Sequence, residues 1–588
     1  SAKRRISLKA DPWVMSMAAL FCFLSVLVLL AAGCSLDSGS EGPRVYTVDL
    51  DWSDLGLPDG GGGKTSSVFV VKVNNTGRLV PWEATGHVYD GPAASRVPVQ
   101  PSRSGAVSPA PLPQAPVSGL FSGAGGETVV RYDHPGAQRF NANPPPLDRE
   151  IPGGPQLRSM SAPSFSVVDV SQKSFWVDKG IAGGNYIWEQ KTATLRADST
   201  HAEVWVADES YNNGSSSSTD NKVTTAQAQA VAAKFDEIYG PTTAVFGYEY
   251  GGGPGPGYPG YPGGRDENPK IQILIYDIDG DYNAGQTGGV IGYFWGKDWY
   301  EQWQFDASGY KYKSNEAEIF YIDAHFTDSA PGTVHSTLIH EYQHMIHWNE
   351  KEIKGLNSQT WYNEMLSMLA EDMIAPLIGI SSTDSGHPVR QRIPLFLDCY
   401  SLTGITEWGD PDTAEELYSY SNVYAFGAYL ARNYGGADLI KAMAGNGRVN
   451  EASVSAALGS VGANPLVRDF GQALSKYGEA LIYKETSGDR GSFNKTDKRN
   501  INGTDYEFTG FNIMGTSNSS GSLGDYVLSG TKVNKGPLIF NLQYAFEMPP
   551  HSIIVQSRAD WLTVNGPLTV TVEEYPGVEI RILTRPNS

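Results

Sequence analysis

Cysteine is scarce in this chain, with three in 588 residues, at positions 22, 34 and 399. A disulfide-stapled scaffold is thereby excluded, and the length is ample for an ordinary apolar core. Charge is thin too, at 18% of residues, where about a quarter is usual. Basic side chains are the scarcer sign: 44 Lys and Arg stand against 64 Asp and Glu, a formal net charge of -20. A balance so acidic excludes a general nucleic-acid binder, which needs a cationic surface. A hydrophobic share of 40% excludes disorder throughout. Histidine is rarer still, at 10 residues, so any cluster of it carries weight. No fixed-period repeat is present. Gly (66) and Pro (36) are plentiful and imply long loops between compact parts.

The N-terminus reads as targeting rather than fold. Lys3, Arg4, Arg5 and Lys9 precede an uncharged run over 13–33, which ends Leu29-Leu30-Ala31-Ala32-Gly33-Cys34. Small residues before a cleavage point are signal-peptide grammar. The stretch resembles a bacterial lipoprotein signal, which implies a lipid on Cys34 and a chain held at the cell envelope through it. Ser35 after the cysteine points by the same analogy to the outer membrane; secretion is the variant of that placement. A transmembrane anchor is the competing reading, because the run is long enough to span a bilayer; Cys34 at its end favours the lipoprotein. With Cys34 lipidated, Cys399 has no disulfide partner and is expected as a small buried residue.

Composition divides the rest. Residues 34–90 alternate in strand fashion, as in Ser67-Val68-Phe69-Val70-Val71-Lys72-Val73, and read as a small β-module. Residues 91–165 are rich in Pro, Ser and Gly and read as a linker or a propeptide. A catalytic domain is expected over 166–490, with a helix from Thr224 to Tyr239 closed by Gly240-Pro241, and strands at 270–277, 290–295 and 318–323. Helices are expected over 333–349, 359–375 and most of 415–485. Strands dominate 491–588, read as a β-sandwich-like module.

The chemistry lies in Thr337-Leu338-Ile339-His340-Glu341-Tyr342-Gln343-His344-Met345-Ile346-His347. Leu338, Tyr342, Met345 and Ile346 fall at helical spacing and give the helix a buried face. His340 and His344, four apart, project from one side on successive turns and suit two corners of a zinc site, with Glu341 beside them. A second helix follows in Trp361-Tyr362-Asn363-Glu364-Met365-Leu366-Ser367-Met368-Leu369-Ala370-Glu371-Asp372, with Ser358 or Thr360 as its cap. Glu364, twenty positions after His344, leaves room for a loop and the return of a helix against the first. Its carboxylate would complete two His and one Glu and leave a fourth position for water.

Together these motifs resemble the gluzincin zinc peptidases, and the wording of the two helices is similar to the hyicolysin-type neutral metallopeptidases, over about 166–485. The resemblance implies an α+β, thermolysin-like catalytic domain in two parts. It also implies Zn2+ on His340, His344 and Glu364, Glu341 as general base, and protein or peptide substrates. Tyr424 is the first candidate for the donor that steadies the oxyanion, and Tyr420 the second. Relatives of thermolysin type place an Asp four residues after the ligand Glu; here that place is Met368, and Glu371 is the candidate to orient a zinc histidine. His347 is expected beside the site rather than on the metal. A metzincin pattern fails, since His347 and Glu350 stand where Gly and His or Asp are needed. An aminopeptidase reading fails for want of a G-x-M-E-N segment.

Two weaker signals remain. Asp277-Ile278-Asp279-Gly280-Asp281 places oxygen ligands at alternate positions around a Gly and suggests Ca2+ on Asp277, Asp279 and Asp281, or else a plain strand-end turn. The segment 289–294 is an edge strand able to hold an extended peptide, or an ordinary core strand. The competing function is a non-catalytic surface binding lipoprotein on a peptidase-derived scaffold.

Overall fold

A computed structural model describes residues 44–50, 66–90, 122–147, 171–513 and 526–586, apart from short breaks of which 213–221 is the longest. The signal stretch with Cys34 lies outside the described residues. Two units result: 44–90 with 539–548 and 554–586, and 122–538 with 549–553.

The larger unit is mixed α and β. A short helix, α1 (Pro135–Ala142), precedes a long hairpin of β1 (Gln172–Ala182) and β2 (Asn185–Asp198). Then come β3 (Ala202–Ala207), helix α2 (Thr225–Phe246), β4 (Ile271–Tyr276), β5 (Gly292–Phe294) and β6 (Ile319–Asp323). The strands form one sheet in the order β5-β6-β4-β3-β2-β1. Its middle is parallel, β3 with β4 and β4 with β6, while β5 and β2 run antiparallel to their neighbours. Both β4 and β6 are buried along their whole length, which is why each reads as an unbroken apolar run rather than an alternation. The outer hairpin, half exposed, alternates instead.

Helix α2 begins on a capping box, with Thr224 and Gln227 each bonding the other's backbone N–H. It does not stop at Gly240-Pro241, as the sequence suggests, but runs on to Phe246. The Thr242 and Thr243 hydroxyls donate to the carbonyls of Ile238 and Tyr239, supplying bonds around the proline where its missing N–H cannot.

A short helix, Ala324–Ser329, follows β6 directly, and then come α3 (Pro331–His347), α4 (Thr360–Ile374), α5 (Pro388–Cys399) and α6 (Glu415–Tyr434). Three more, Gly436–Gly445, Asn450–Val461 and Phe470–Ala480, complete the region. Helix α3 packs against α2 and β5 on one side and α4 on the other. It is therefore buried nearly all round, its polar residues included, and not on one apolar face alone. Tyr342 of α3 stacks on Tyr239 of α2 with ring centroids 5.5 Å apart. After His347 the chain widens into a turn in which Ile353 N–H reaches Trp348 O at 2.9 Å. Neither Ser358 nor Thr360 caps α4; Gln359 holds that position without a side-chain bond. Ser358 is drawn away by His347, whose Nε2 lies 2.7 Å from its hydroxyl. Cys399 is buried in α5 beside Leu395 and Leu417.

The smaller unit joins segments that the sequence presents as two modules. Strand Ser66–Asn74 pairs antiparallel with Val578–Pro586, and Leu568–Glu574 pairs with both Arg44–Leu50 and His87–Asp90. Val68, Val70, Val570 and Ile580 from these strands share one core with Trp561 of the turn Ala559–Thr563. The hairpin Asp497–Ile501 and Thr504–Phe508, expected with the C-terminal module, belongs instead to the larger unit. Tyr506 and Phe508 are buried there, and the Tyr506 hydroxyl donates to Pro241 O at 2.8 Å. Among the described residues no helix is long and apolar enough to cross a membrane.

Candidate metal centre

Helix α3 carries His340 and His344 one turn apart, their rings 4.6 Å between centroids and nearly perpendicular. Helix α4 brings Glu364 against them, with Oε2 3.2 Å from His340 Nε2 and Oε1 3.4 Å from His344 Nε2. All three are buried, and their ligand atoms lie within 4.8 Å of one another. Among the described residues this is the one cluster of its kind.

The outer faces of the imidazoles are fixed by the same stretch of α4. Positions 364, 367 and 371 fall on one helical face at intervals of three and four. Glu371 Oε1 stands 2.7 Å from His340 Nδ1, and its other oxygen accepts from Ser336 at 2.7 Å. Ser367 lies 3.0 Å from His344 Nδ1 and donates its own proton to Gln343 Oε1, so it is left to accept from the imidazole. Each Nδ1 thus meets an oxygen on its outer side, while both Nε2 atoms face Glu364. The carboxylate expected at position 368 is replaced by Glu371 acting from one turn further on.

Charge fits the cluster to a cation. Burial opposes a charge on His344, yet Glu364, Glu341 and Asp133 outweigh it and raise the imidazole to about 10. Glu364, in turn, is held well below the usual carboxylate range by His344 and His340 in spite of burial. Burial first, then Glu364 and Glu341, push Asp133 well above its ordinary value. Without another cation, then, the carboxylates keep a proton on an imidazole. Two inward Nε2 atoms, a carboxylate and a surplus of negative charge suit a divalent metal ion.

The remaining predicted residues fall at varied distances from this centre. His347 turns away to Ser358. Tyr424 donates to Asp372 Oδ2 at 2.9 Å, and that carboxylate is also held by Arg432 through two bonds of 2.8 and 3.0 Å. Its hydroxyl is thus spent inside a buried ion pair. Tyr420, one turn earlier on α6, lies in the field of Asp133, Glu364 and Glu416 and receives Gln138 Nε2 at 3.4 Å. Asp277, Asp279 and Asp281 form no ligand cluster among the described residues. In that turn the Ile278 N–H bonds Asp323 Oδ2 at 2.9 Å, and Asp279 and Gly280 both take positive φ, which is strand-end turn geometry. Asp133, Gln138, Arg392 and Glu416 were not singled out by the sequence. Arg392 places its guanidinium 4.5 Å from the centre of the Tyr420 ring.

A buried pair of imidazoles and a glutamate on two packed helices, with a further glutamate next to the first imidazole, could hold a metal ion. The chain belongs to the peptidase M30 (hyicolysin) family, whose profile matches residues 188–484 and so includes both helices. It is similar to the neutral metalloprotease ShpI of Staphylococcus hyicus, at 28% identity over 269 residues. That match covers 43% of this chain and 50% of the relative, so the chain spans about half of that protein's length.

Proposed function

We propose that the chain is a zinc-dependent endopeptidase that hydrolyses peptide bonds of extracytoplasmic proteins, with its two-part, gluzincin-like catalytic domain centred on α3 and α4. The observation that carries this is the convergence of His340, His344 and Glu364, with the Nδ1 atoms of both imidazoles already engaged from behind. These three residues would hold Zn2+. The ion, when bound, supplies a Lewis acid that makes water a nucleophile at neutral pH and polarises a carbonyl.

The protein's own groups do the rest. Glu341 takes the proton of the attacking water and delivers it to the leaving amine, a role suited to a buried carboxylate adjacent to a ligand histidine. Glu371 and Ser367 keep the imidazoles in one tautomer and orientation. The hydroxyl of Tyr420 donates to the developing oxyanion, in place of Tyr424, whose hydroxyl is engaged by Asp372. The apolar packing of α3 keeps bulk water from the cluster.

Glu341→Gln tests this reading: zinc content should stay at one per chain while hydrolysis of a quenched fluorescent peptide falls at least about a thousandfold. Undiminished hydrolysis in that variant overturns it. The lipid anchor at Cys34 and an envelope location belong to the same proposal. Metabolic labelling with a fatty-acid analogue should mark the parent chain and not Cys34→Ala.

A further inference from the structure

The residues that approach the metal centre from outside the family-matched span come from one stretch. Val130–Tyr132 pairs in parallel with Gly288–Val290, in the register Val130 to Gly288 and Tyr132 to Val290. The chain then places Asp133 in the field of Glu364, Glu341 and His344, and enters α1, whose first turn His134 caps by accepting the Ala137 N–H at 3.2 Å. From α1, Gln138 reaches Glu416 Oε1 at 3.0 Å and Tyr420 OH at 3.4 Å. Asn141 accepts the Gly296 N–H at 2.8 Å and donates to Phe294 O at 2.8 Å.

This last pair has a chemical meaning. Phe294 ends β5, the sheet edge beside α3, and Gly296 opens the turn that follows; a Cβ on Gly292 would stand 2.8 Å from Thr337, one turn before the ligand histidines. An edge strand recognises an extended peptide by such alternating C=O and N–H groups. The Asn141 side-chain amide, one donor and one acceptor on a planar group, copies a peptide unit there. Strand 130–132 occupies the backbone of Gly288–Val290, the segment just upstream of β5 in the chain. The stretch therefore uses main-chain groups that a peptide substrate would need, and sets the Gln138 amide against the Tyr420 oxygen.

We propose that residues 130–142 are a built-in occupant of the peptide-binding edge running from Gly288 to Gly296, holding the enzyme in a latent form until the stretch is displaced. The inference rests on the endopeptidase reading of the same site. Phe140 is the anchor: its ring packs against Tyr300, Tyr312 and Trp348 at centroid distances of 6.1, 4.9 and 6.2 Å. Gln138 and Asn141 are the groups that compete with substrate. An occupied edge lowers apparent substrate affinity in proportion to the fraction of molecules in which it is open.

The test uses the full chain carrying Gln138→Ala with Asn141→Ala, and separately Arg131→Pro, which interrupts the strand pairing without touching either amide. Each is measured for hydrolysis of a quenched peptide. Each is also measured in the Glu341→Gln background for binding of a fluorescein-labelled casein peptide by anisotropy. Both readouts should rise about tenfold or more in at least one of the variants. Tighter peptide binding with no hydrolysis in any chain bearing Glu341 upholds the occupant and removes the endopeptidase reading instead. Binding that is unchanged or weaker in both variants, with melting temperatures equal to the parent, overturns the occupant. A loss of melting temperature in one variant shifts the decision to the other, and loss in both marks the stretch as structural and overturns it as well.

Discussion

Glu371 meets His340 at 2.7 Å, on the side of the ring opposite to Glu364. The two carboxylates come from one helix, seven positions apart, and grip a single imidazole between them. A carboxylate on the far nitrogen makes the near one a better ligand and fixes its aim. Glu371→Gln should therefore lower zinc affinity about 10- to 100-fold, read by competition with a chelator, while the melting temperature of the metal-free protein changes little. An unchanged zinc affinity would show that His340 is oriented by packing alone.

The two tyrosines of α6 should separate cleanly. Tyr420→Phe is expected to cut kcat by about 10²- to 10³-fold with a small change in KM, as for loss of one donor to a developing oxyanion. Tyr424→Phe should leave kcat near the parent and cost about 1–2 kcal/mol of stability, because Asp372 keeps Arg432 but loses one hydrogen bond. Steady-state kinetics and urea denaturation of the two variants decide between these assignments. The reverse pattern would return the role to Tyr424.

Arg432 and Asp372 form a fully buried, two-pronged ion pair behind the active-site helices. Removing one partner leaves a charge in a dry interior. Arg432→Met should destabilise the chain by about 3–5 kcal/mol, and adding Asp372→Asn should recover part of that loss. Denaturant midpoints of the two single variants and the double variant measure the coupling. Strictly additive effects would show that the pair is not coupled.

Glu318 offers a pH signature remote from the metal. Burial pushes its carboxyl from 4.5 up to about 8, though the Arg265 N–H bonds to its oxygens at 3.2 and 3.0 Å pull the other way. Between those two values the folded chain holds a proton that the unfolded chain has released. Its contribution to stability is thus complete below pH 4.5 and is lost as pH rises through about 8. Urea titrations at pH 5 and 8.5 should show a fall of up to about 4 kcal/mol from this group, absent in Glu318→Gln. An identical slope in parent and variant would place the proton elsewhere.

The spacing of His340, Glu341 and His344 was legible because helical geometry turns four residues into one turn, and no long-range information is needed. Glu364 and Glu371 were legible once a second helix was assumed to return against the first. Tyr420 was harder: choosing between two tyrosines one turn apart depends on what lies opposite, and Arg432 reaches Asp372 from sixty positions away. The course of α2 through Pro241 was hidden for a related reason, since local preference was overruled by hydroxyl bonds and packing. Least legible was the stretch around Asp133. Its Pro-rich surroundings suggest a tether, and only tertiary contact brings Gln138 to α6 and Asn141 to the rim of β5. The pairing of residues near 70 with residues near 580 likewise has no signature in either segment alone.

The register of the long hairpin bears on how this protein is to be handled. Phe175 faces Lys191 and Asp178 faces Trp188, so β1 closes the outer margin of the sheet along most of β2. A recombinant fragment trimmed to the family limits at residue 188 would delete that covering strand and leave a row of bare amides on β2. Such a fragment should aggregate more readily on expression than one that starts ahead of Gln172 and keeps β2 paired, a difference that soluble yield measures.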